Sequence, residues 1–363
     1  MNQQSKIKIL YIIPSLSSGG AERFILDLIY SLDKNIFEPS LLLFDKKGLF
    51  YDEAINKGIK IETLKKNFKL DLFNFYKIYK YIKKEKPAIV HTQLGGDIYG
   101  KLATKLIGGI KIVSTEQNVL QNDNIVNTFL KKITANFSDK IIAISSAVKD
   151  DIIARYKLPA SKVELIPNGV NIEKFNKTEK DSSDNKKIFL GSIGRLVPQK
   201  NFSLLFQALS LVDNKNFECQ IVGEGELKTK LEQEINLLGL SDKVKLLGSR
   251  NDINNFLVKL DFFVLPSKWE GLGVVLLEAG LAKLPVLASA TGGITDIIKD
   301  DQTGKLFKNN DLASLVLGLN YFLDEKNKDS LNIFGRNLHI FVKENFSLEK
   351  VGFEYKNMYL KII

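Results

Sequence analysis

The sequence predicts an α/β protein of two Rossmann-like domains, each a parallel sheet with helices on both faces. Three observations carry that prediction. Short apolar runs rich in Ile, Val and Leu alternate with segments of helical periodicity. The alternation stops in a polar stretch at residues 172–187 and restarts beyond it. The first apolar run also feeds a glycine turn and then a helical stripe, the opening of a Rossmann-like unit.

The elements follow in order. Residues 6–13, K-I-K-I-L-Y-I-I, form the first strand, and P-S-L-S-S-G-G-A-E-R leads into a helix with Phe24, Ile25, Leu28, Ile29 and Leu32 on one face. Further strands are expected at 40–44, 88–91, 111–114, 140–144 and 163–166. The stretch 172–187 has almost no core-forming residue and reads as an interdomain linker. It separates an N-terminal domain, 1–171, from a C-terminal domain, 188–345. In the latter, strands are expected at 188–193, 217–222, 244–247, 262–265 and 286–288, and helices at 204–211, 227–238, 274–282 and 312–322. No short solenoid repeat is present.

The 363 residues are too many for one ordinary core and suit two domains. Lys and Arg number 52 against 42 Asp and Glu, a net charge of +10 that favours anionic partners without choosing among nucleic acid, lipid and small molecules. Cys219, alone of its kind, excludes an intrachain disulfide, and no Cys/His cluster has zinc spacing. It reads as a small buried strand residue. The N-terminal apolar run is too short for a signal peptide, and no stretch approaches the roughly 20 apolar residues of a spanning helix. A reducing cytoplasm is the expected location.

The most informative run is W-E-G-L-G-V-V-L-L-E, residues 269–278, with Glu270 and Glu278 around a glycine pair. If its second half is helical, eight residues rise roughly 12 Å. An acceptor at each end, with backbone N–H groups near the start, suits an elongated diphosphate bearing hydroxyls at both ends. A surface helix with an acidic first turn is the alternative. Upstream, G-S-I-G-R-L-V-P-Q-K-N (191–201) places Arg195 and Lys200 between a strand end and a helix start, where an arginine fork and a lysine point charge suit phosphate. Two solvated loop cations account for them equally well. I-P-N-G-V-N (166–171) and V-G-E-G-E (222–226) read as turns.

Taken with L-G-S-R-N-D-I (247–253), D-F-F-V-L-P-S-K-W-E-G-L-G-V-V-L-L-E-A (261–279) and L-P-V-L-A-S-A-T-G-G-I-T-D-I-I (284–298), the chain resembles the retaining glycosyltransferases of family 4, which have the GT-B fold. The resemblance spans nearly the whole chain and is most specific over 191–304. It implies two Rossmann-like domains facing across a cleft, with a C-terminal helix, 346–363, crossing back to the first domain. It implies Arg195 and Lys200 at the donor diphosphate, Glu278 on the ribose hydroxyls and Glu270 on the transferred sugar. Gly271 and Gly273, with Leu272 between them, match the backbone at the phosphates. Gly19 and Gly20 match the first-domain loop that faces the donor, and Arg250 lies in the loop near the base. The chain departs from the family where S-T-E is often followed by histidine. Gln117 stands there, able to hydrogen-bond a sugar but not to carry a proton charge.

What the resemblance implies is a metal-independent retaining hexosyltransferase with no cofactor. It would use a nucleotide-diphosphate sugar and a lipid-linked or growing surface-glycan acceptor in polysaccharide biosynthesis. A catalytically lapsed partner protein and a same-fold epimerase are the alternatives. Nucleic acid is not an expected partner, since no binding motif accompanies the charge. His91, at the end of A-I-V-H, has a site role and a structural role equally open, and His339 is expected between C-terminal helices. Over residues 64–86 a basic, aromatic helix is expected, capped by Asp71 and ended by Pro87. Leu72, Phe75, Tyr76, Tyr79 and Ile82 form its packing stripe, with lysines at 77, 80, 83 and 84 opposite or flanking. Those lysines and the extra aromatics also suit peripheral contact with an anionic membrane on the inner face of the cell.

Overall fold

The computed structural model describes residues 6–17, 19–64, 72–119, 125–175 and 187–363. Two compact units are formed, Met1–Gly169 with Leu348–Ile363, and Val170–Ser347. Of the expected linker, residues 176–186 lie outside the described residues, as does Asp71.

In the first unit β1 (Ile7–Ile13), α1 (Gly20–Ser31), β2 (Phe37–Leu43), α2 (Tyr51–Asn56), β3 (Lys60–Thr63), α3 (Leu72–Glu85) and β4 (Ile89–Gln93) are followed by α4 (Asp97–Ile107), β5 (Lys111–Glu116), α5 (Ile125–Ala135), β6 (Lys140–Ala143), α6 (Ser146–Tyr156) and β7 (Val163–Leu165). The strands pair in parallel in the order β3-β2-β1-β4-β5-β6-β7. Central β1 is covered on both faces, so residues Ile9 to Ile13 are fully buried, the continuous apolar run such a strand needs.

The second unit holds β8 (Ile188–Ile193), α7 (Phe202–Leu211), β9 (Phe217–Val222), α8 (Lys228–Leu237), β10 (Val244–Leu246), α9 (Ile253–Leu257), β11 (Phe262–Leu265) and α10 (Val274–Leu281). Then come β12 (Val286–Ser289), α11 (Ile294–Ile297), β13 (Lys305–Phe307), α12 (Leu312–Leu323) and α13 (Lys328–Phe346). Its sheet, also parallel, runs β10-β9-β8-β11-β12-β13. Cys219 is wholly buried in β9, as expected.

The chain closes with α14 (Leu348–Ile362), which packs with α1 in the first unit through Val351, Tyr355, Met358 and Tyr359. On the other sheet face lie Ile78 and Ile82 of α3 and Ala103 of α4.

Several expectations need correction. The edge strands β3 and β13 were not anticipated, because K-I-E-T and K-L-F are too short and polar to register as apolar runs. His339 lies inside α13 rather than between helices. On α3 Phe75, Tyr79 and Ile82 of the expected stripe do pack, with Ile78 and Asn74 beside them, while Tyr76 is 57% exposed. Asn74, which no apolar pattern would place there, takes a core position by donating to the Phe44 carbonyl at 3.3 Å.

Each sheet has an interior strand from which the order runs both ways, and ligands of such sheets bind beyond the carboxyl ends there. In the second unit that point lies between β8 and β11, and in the first between β1 and β4.

Candidate functional site

The loops after β8 and β11, adjacent strands, bring Lys200 and Glu270 into an ion pair although 70 residues separate them. Lys200 ends a short 3₁₀ turn, Pro198–Lys200. The turn is stitched to the β11 loop twice: the Lys268 N–H donates to the Gln199 carbonyl at 2.8 Å, and Gln199 Nε2 donates to the Trp269 carbonyl at 2.9 Å. Glu270 is only 6% exposed. Ser267 Oγ donates to its Oε1 at 2.6 Å, the same oxygen that Lys200 holds. Ser289 Oγ, from the end of β12, donates to the Ser267 carbonyl.

Two glycines shape this loop. Gly273, at φ +84, caps α10 in a left-handed conformation that side chains rarely adopt. A Cβ on Gly292 would stand 2.0 Å from the Glu270 carbonyl, so only glycine lets that backbone come so near. Helix α10 begins at Val274, so the run from Glu270 to Gly273 is loop and only its second part helical. That N-terminus follows Glu270 by four residues, and the first N–H groups of a helix, which lack partners in a preceding turn, suit negative charge. Gly271 and Leu272 are buried, and Glu278 is half-buried on α10.

Arg195 is exposed in the β8 loop, with no ion pair among the described residues. Arg250 is held by Asp252 through a paired contact, Nε to Oδ1 at 2.9 Å and Nη2 to Oδ2 at 2.5 Å. The structure thus joins Lys200 and Glu270 by direct contact and leaves both arginines outside that contact.

In the first unit, Gly19 is the N-cap of α1 and Gly20 its first residue. The Glu22 carboxylate folds back over Gly19, where a Cβ would be 2.2 Å from its Oε2. Gln117, beyond the end of β5, is buried and exchanges hydrogen bonds with Asn168: Asn168 Nδ2 to Gln117 Oε1 at 2.8 Å, and Gln117 Nε2 to Asn168 Oδ1 at 3.4 Å. Each amide retains one donor hydrogen and one lone pair for another partner.

His91 is built into the interior. Its Nδ1 hydrogen-bonds Tyr359 OH at 2.6 Å and its Nε2 bonds Thr115 Oγ1 at 2.8 Å. Tyr359 OH also meets Tyr11 OH at 2.9 Å. Burial, then nearby Lys101, pushes the His91 pKa down to about 3, so the ring is neutral. Both nitrogens serve α14 and the sheet, which settles the open choice toward structure. His339 Nδ1 contacts the Gly280 and Leu281 carbonyls at 3.2 and 3.1 Å, tying α13 to the end of α10.

Sequence reasoning missed Ser267, Gln199 and Asn168. A signal existed for Ser267, three residues before Glu270 at a strand end. In the sequence Asn168 reads as a turn residue, and its tie to Gln117 spans 51 positions that no local pattern connects.

Two family models cover this chain: "Glycosyltransferase Family 4" over residues 18–174 and "Glycosyl transferases group 1" over residues 173–337. The Escherichia coli UDP-Gal:alpha-D-GlcNAc-diphosphoundecaprenol alpha-1,3-galactosyltransferase is 30% identical over 386 residues, covering 99% of this chain and 98% of that protein. A Campylobacter jejuni enzyme, N-acetylgalactosamine-N,N'-diacetylbacillosaminyl-diphospho-undecaprenol 4-alpha-N-acetylgalactosaminyltransferase, is 26% identical over 88% of this chain and 90% of its own. Among solved structures, Anabaena Alr3699/HepE in complex with UDP-glucose superposes with a TM-score of 0.87 at 23% identity, over 98% of this chain and 100% of that one. A glycosyltransferase from Rickettsia africae gives 0.86 at 24%, over 99% of each chain.

Proposed function

Since the chain belongs to the family 4 glycosyltransferases, of the GT-B fold, we propose that it moves a sugar, with retention, from a uridine diphosphate sugar to a lipid-diphosphate-linked glycan. The observation that carries the reading is the Lys200–Glu270 pair set four residues ahead of the N-terminus of α10. A cation, a helix N-terminus and a buried carboxylate within one loop cluster provide for a diphosphate and, beside it, for hydroxyls. The undecaprenol-linked substrates in the names of the E. coli and C. jejuni relatives support the acceptor class, and the bound UDP-glucose of the Anabaena protein supports the donor class.

On this reading Arg195, Lys200 and the start of α10, with Gly271, Leu272 and Gly273, stabilise the departing diphosphate. That electrostatic work is what a divalent ion does elsewhere, so transfer is proposed to be metal-independent. Glu278 accepts from the ribose, Arg250 lies near the base, and Glu270 accepts from hydroxyls of the transferred sugar. The first unit is proposed to contribute Gly19, Gly20 and Gln117.

A place at the inner membrane face also belongs to the proposal. No helix among the described residues is long and apolar enough to cross a membrane. On α3, Phe73 is 61% exposed with Lys77 Nζ 4.4 Å from its ring centre, and Tyr76, Lys80, Lys83 and Lys84 are exposed as well. Aromatics among lysines suit an anionic bilayer, each basic residue adding about 1 kcal/mol.

The test is nucleotide release from a panel of UDP sugars by the full chain, with a polyprenyl-diphosphate glycan acceptor, with and without EDTA. Release from one donor, indifferent to EDTA and lost in Glu270→Ala, is the expected result. Donor binding without release would favour the lapsed partner protein, and no binding at all would refute the donor site. Cosedimentation with phosphatidylglycerol vesicles, weakened by Phe73→Ser, tests the membrane part.

A further inference from the structure

Glu270 is held through one oxygen only. Lys200 Nζ and Ser267 Oγ both donate to Oε1, and Oε2 has no hydrogen-bond partner among the described residues. A carboxylate oxygen has two lone pairs, so Oε1 is saturated and Oε2 keeps both of its own. Two donors from different loops fix the plane of the group, while the approach of Gly292 to the Glu270 carbonyl fixes its backbone. Ser267 is itself fully buried and anchored through its carbonyl by Ser289 Oγ. Of the two donors, Lys200 carries charge suited to phosphate; Ser267 is neutral, and its hydroxyl proton is committed to Glu270.

Resting on the donor reading above, we propose that Ser267 is a positioning residue for the sugar half of the donor. Acting through Glu270, it aims Oε2 at hydroxyls of the transferred sugar and so helps choose between sugars that differ at one hydroxyl. It touches neither the nucleotide nor the diphosphate. The division of labour is therefore sharp: Lys200 serves both halves of the donor, and Ser267 serves the sugar alone.

Calorimetry of the full chain with UDP, UDP-glucose, UDP-galactose and UDP-N-acetylglucosamine separates these roles. Ser267→Ala removes the hydroxyl, and Ser267→Cys fills the same space with a weak donor. Both variants are expected to bind UDP as the wild type does. Both are also expected to lose about tenfold of the added affinity that the preferred UDP sugar has over UDP, with narrowed discrimination among the three sugars. Turnover should fall with the same donor preference, and the melting temperature should stay near that of the wild type. If Ser267→Ala weakens UDP and UDP sugar equally, or if Ser267→Cys behaves as wild type while Ser267→Ala does not, the hydroxyl serves only packing or stability and the inference is overturned. Unchanged sugar discrimination in both variants would also overturn it. A wild-type chain that binds UDP but gains nothing from any sugar contradicts the Ser267 role alone. One that binds neither UDP nor any UDP sugar removes the donor reading, and the inference with it.

Discussion

Both sheets reverse strand order at an interior strand, β1 in the first unit and β8 in the second, and both set loops there. The two edges are furnished differently. Beyond β8 and β11 a half-buried lysine meets a buried glutamate next to a helix N-terminus. Beyond β4 and β5 the hydrogen-bonded network that holds the edge is made of neutral groups, the Gln117–Asn168 amides and the His91, Thr115 and tyrosine hydroxyls that bind α14, although Lys101 and Glu116 are buried there too. One topology thus carries an edge with an ion pair beside a helix N-terminus and an edge tied by a neutral network of amides and hydroxyls. Changes at the first should be read in chemistry, and changes at the second in stability.

The largest effect is expected where charge meets charge. Lys200→Ala should lower turnover by about a hundredfold or more. It also leaves the buried Glu270 carboxylate without its cation, at a cost of about 3 kcal/mol in urea unfolding. Adding Glu270→Gln should restore most of the stability and none of the activity. A double variant as unstable as the single one would mean that the pair does not matter to the fold.

The neutral edge should answer the other way. Tyr359→Phe removes a hydroxyl that meets both His91 and Tyr11, and should cost about 2 kcal/mol while leaving UDP affinity untouched. A fall in UDP affinity in this variant would erase the contrast between the edges.

His91 makes the same contrast visible in pH. Its pKa is pushed down to about 3 in the folded chain, against about 6.5 for an unfolded histidine. Below about pH 6.5 the unfolded state takes up a proton that the folded ring refuses. The His91 contribution is therefore whole above that pH and is lost as pH falls toward about 3, by roughly 1.4 kcal/mol per unit. The carboxylates of Glu53 and Glu218, each pushed down from 4.5 to about 2, add their own loss as pH falls through that interval. Glu53 is lowered chiefly by Arg23. His339, the other histidine, is shifted in the same direction by burial. Unfolding free energies at pH 6.5, 5.5 and 4.5 should fall steeply in the wild type and less steeply in His91→Gln.

The two edges also differed in how far they were legible in the sequence. At the charged edge, function needs particular residues at short spacing, and G-S-I-G-R-L-V-P-Q-K-N and W-E-G-L-G-V-V-L-L-E stand out as such. The central strands were legible because strands buried on both faces are continuous apolar runs, while β3 and β13, short and at sheet edges, left no such trace. The long-range ties were not legible. Ser267 to Glu270 is three residues and hid in plain view, but His91 to Tyr359 spans 268 positions and exists only once the chain has folded.

The smallest expected effect falls on the residue at the neutral edge proposed to meet the donor. Gln117 stands where similar transferases often have histidine, and Asn168 holds its amide. If the position only orients, Gln117→His should keep turnover within about threefold, because a neutral imidazole both donates and accepts and so can satisfy Asn168. Its pH profile should match that of the wild type. Asn168→Ala should then do more harm than Gln117→His, raising KM for the sugar donor with kcat little changed, since it frees the amide that must be aimed. A rate gain of about tenfold in Gln117→His, with a new inflection near pH 6.5, would mean that the position titrates. The edge called neutral would then be neutral in this chain by one substitution, and the contrast between the two sheets would be a property of Gln117 rather than of the fold.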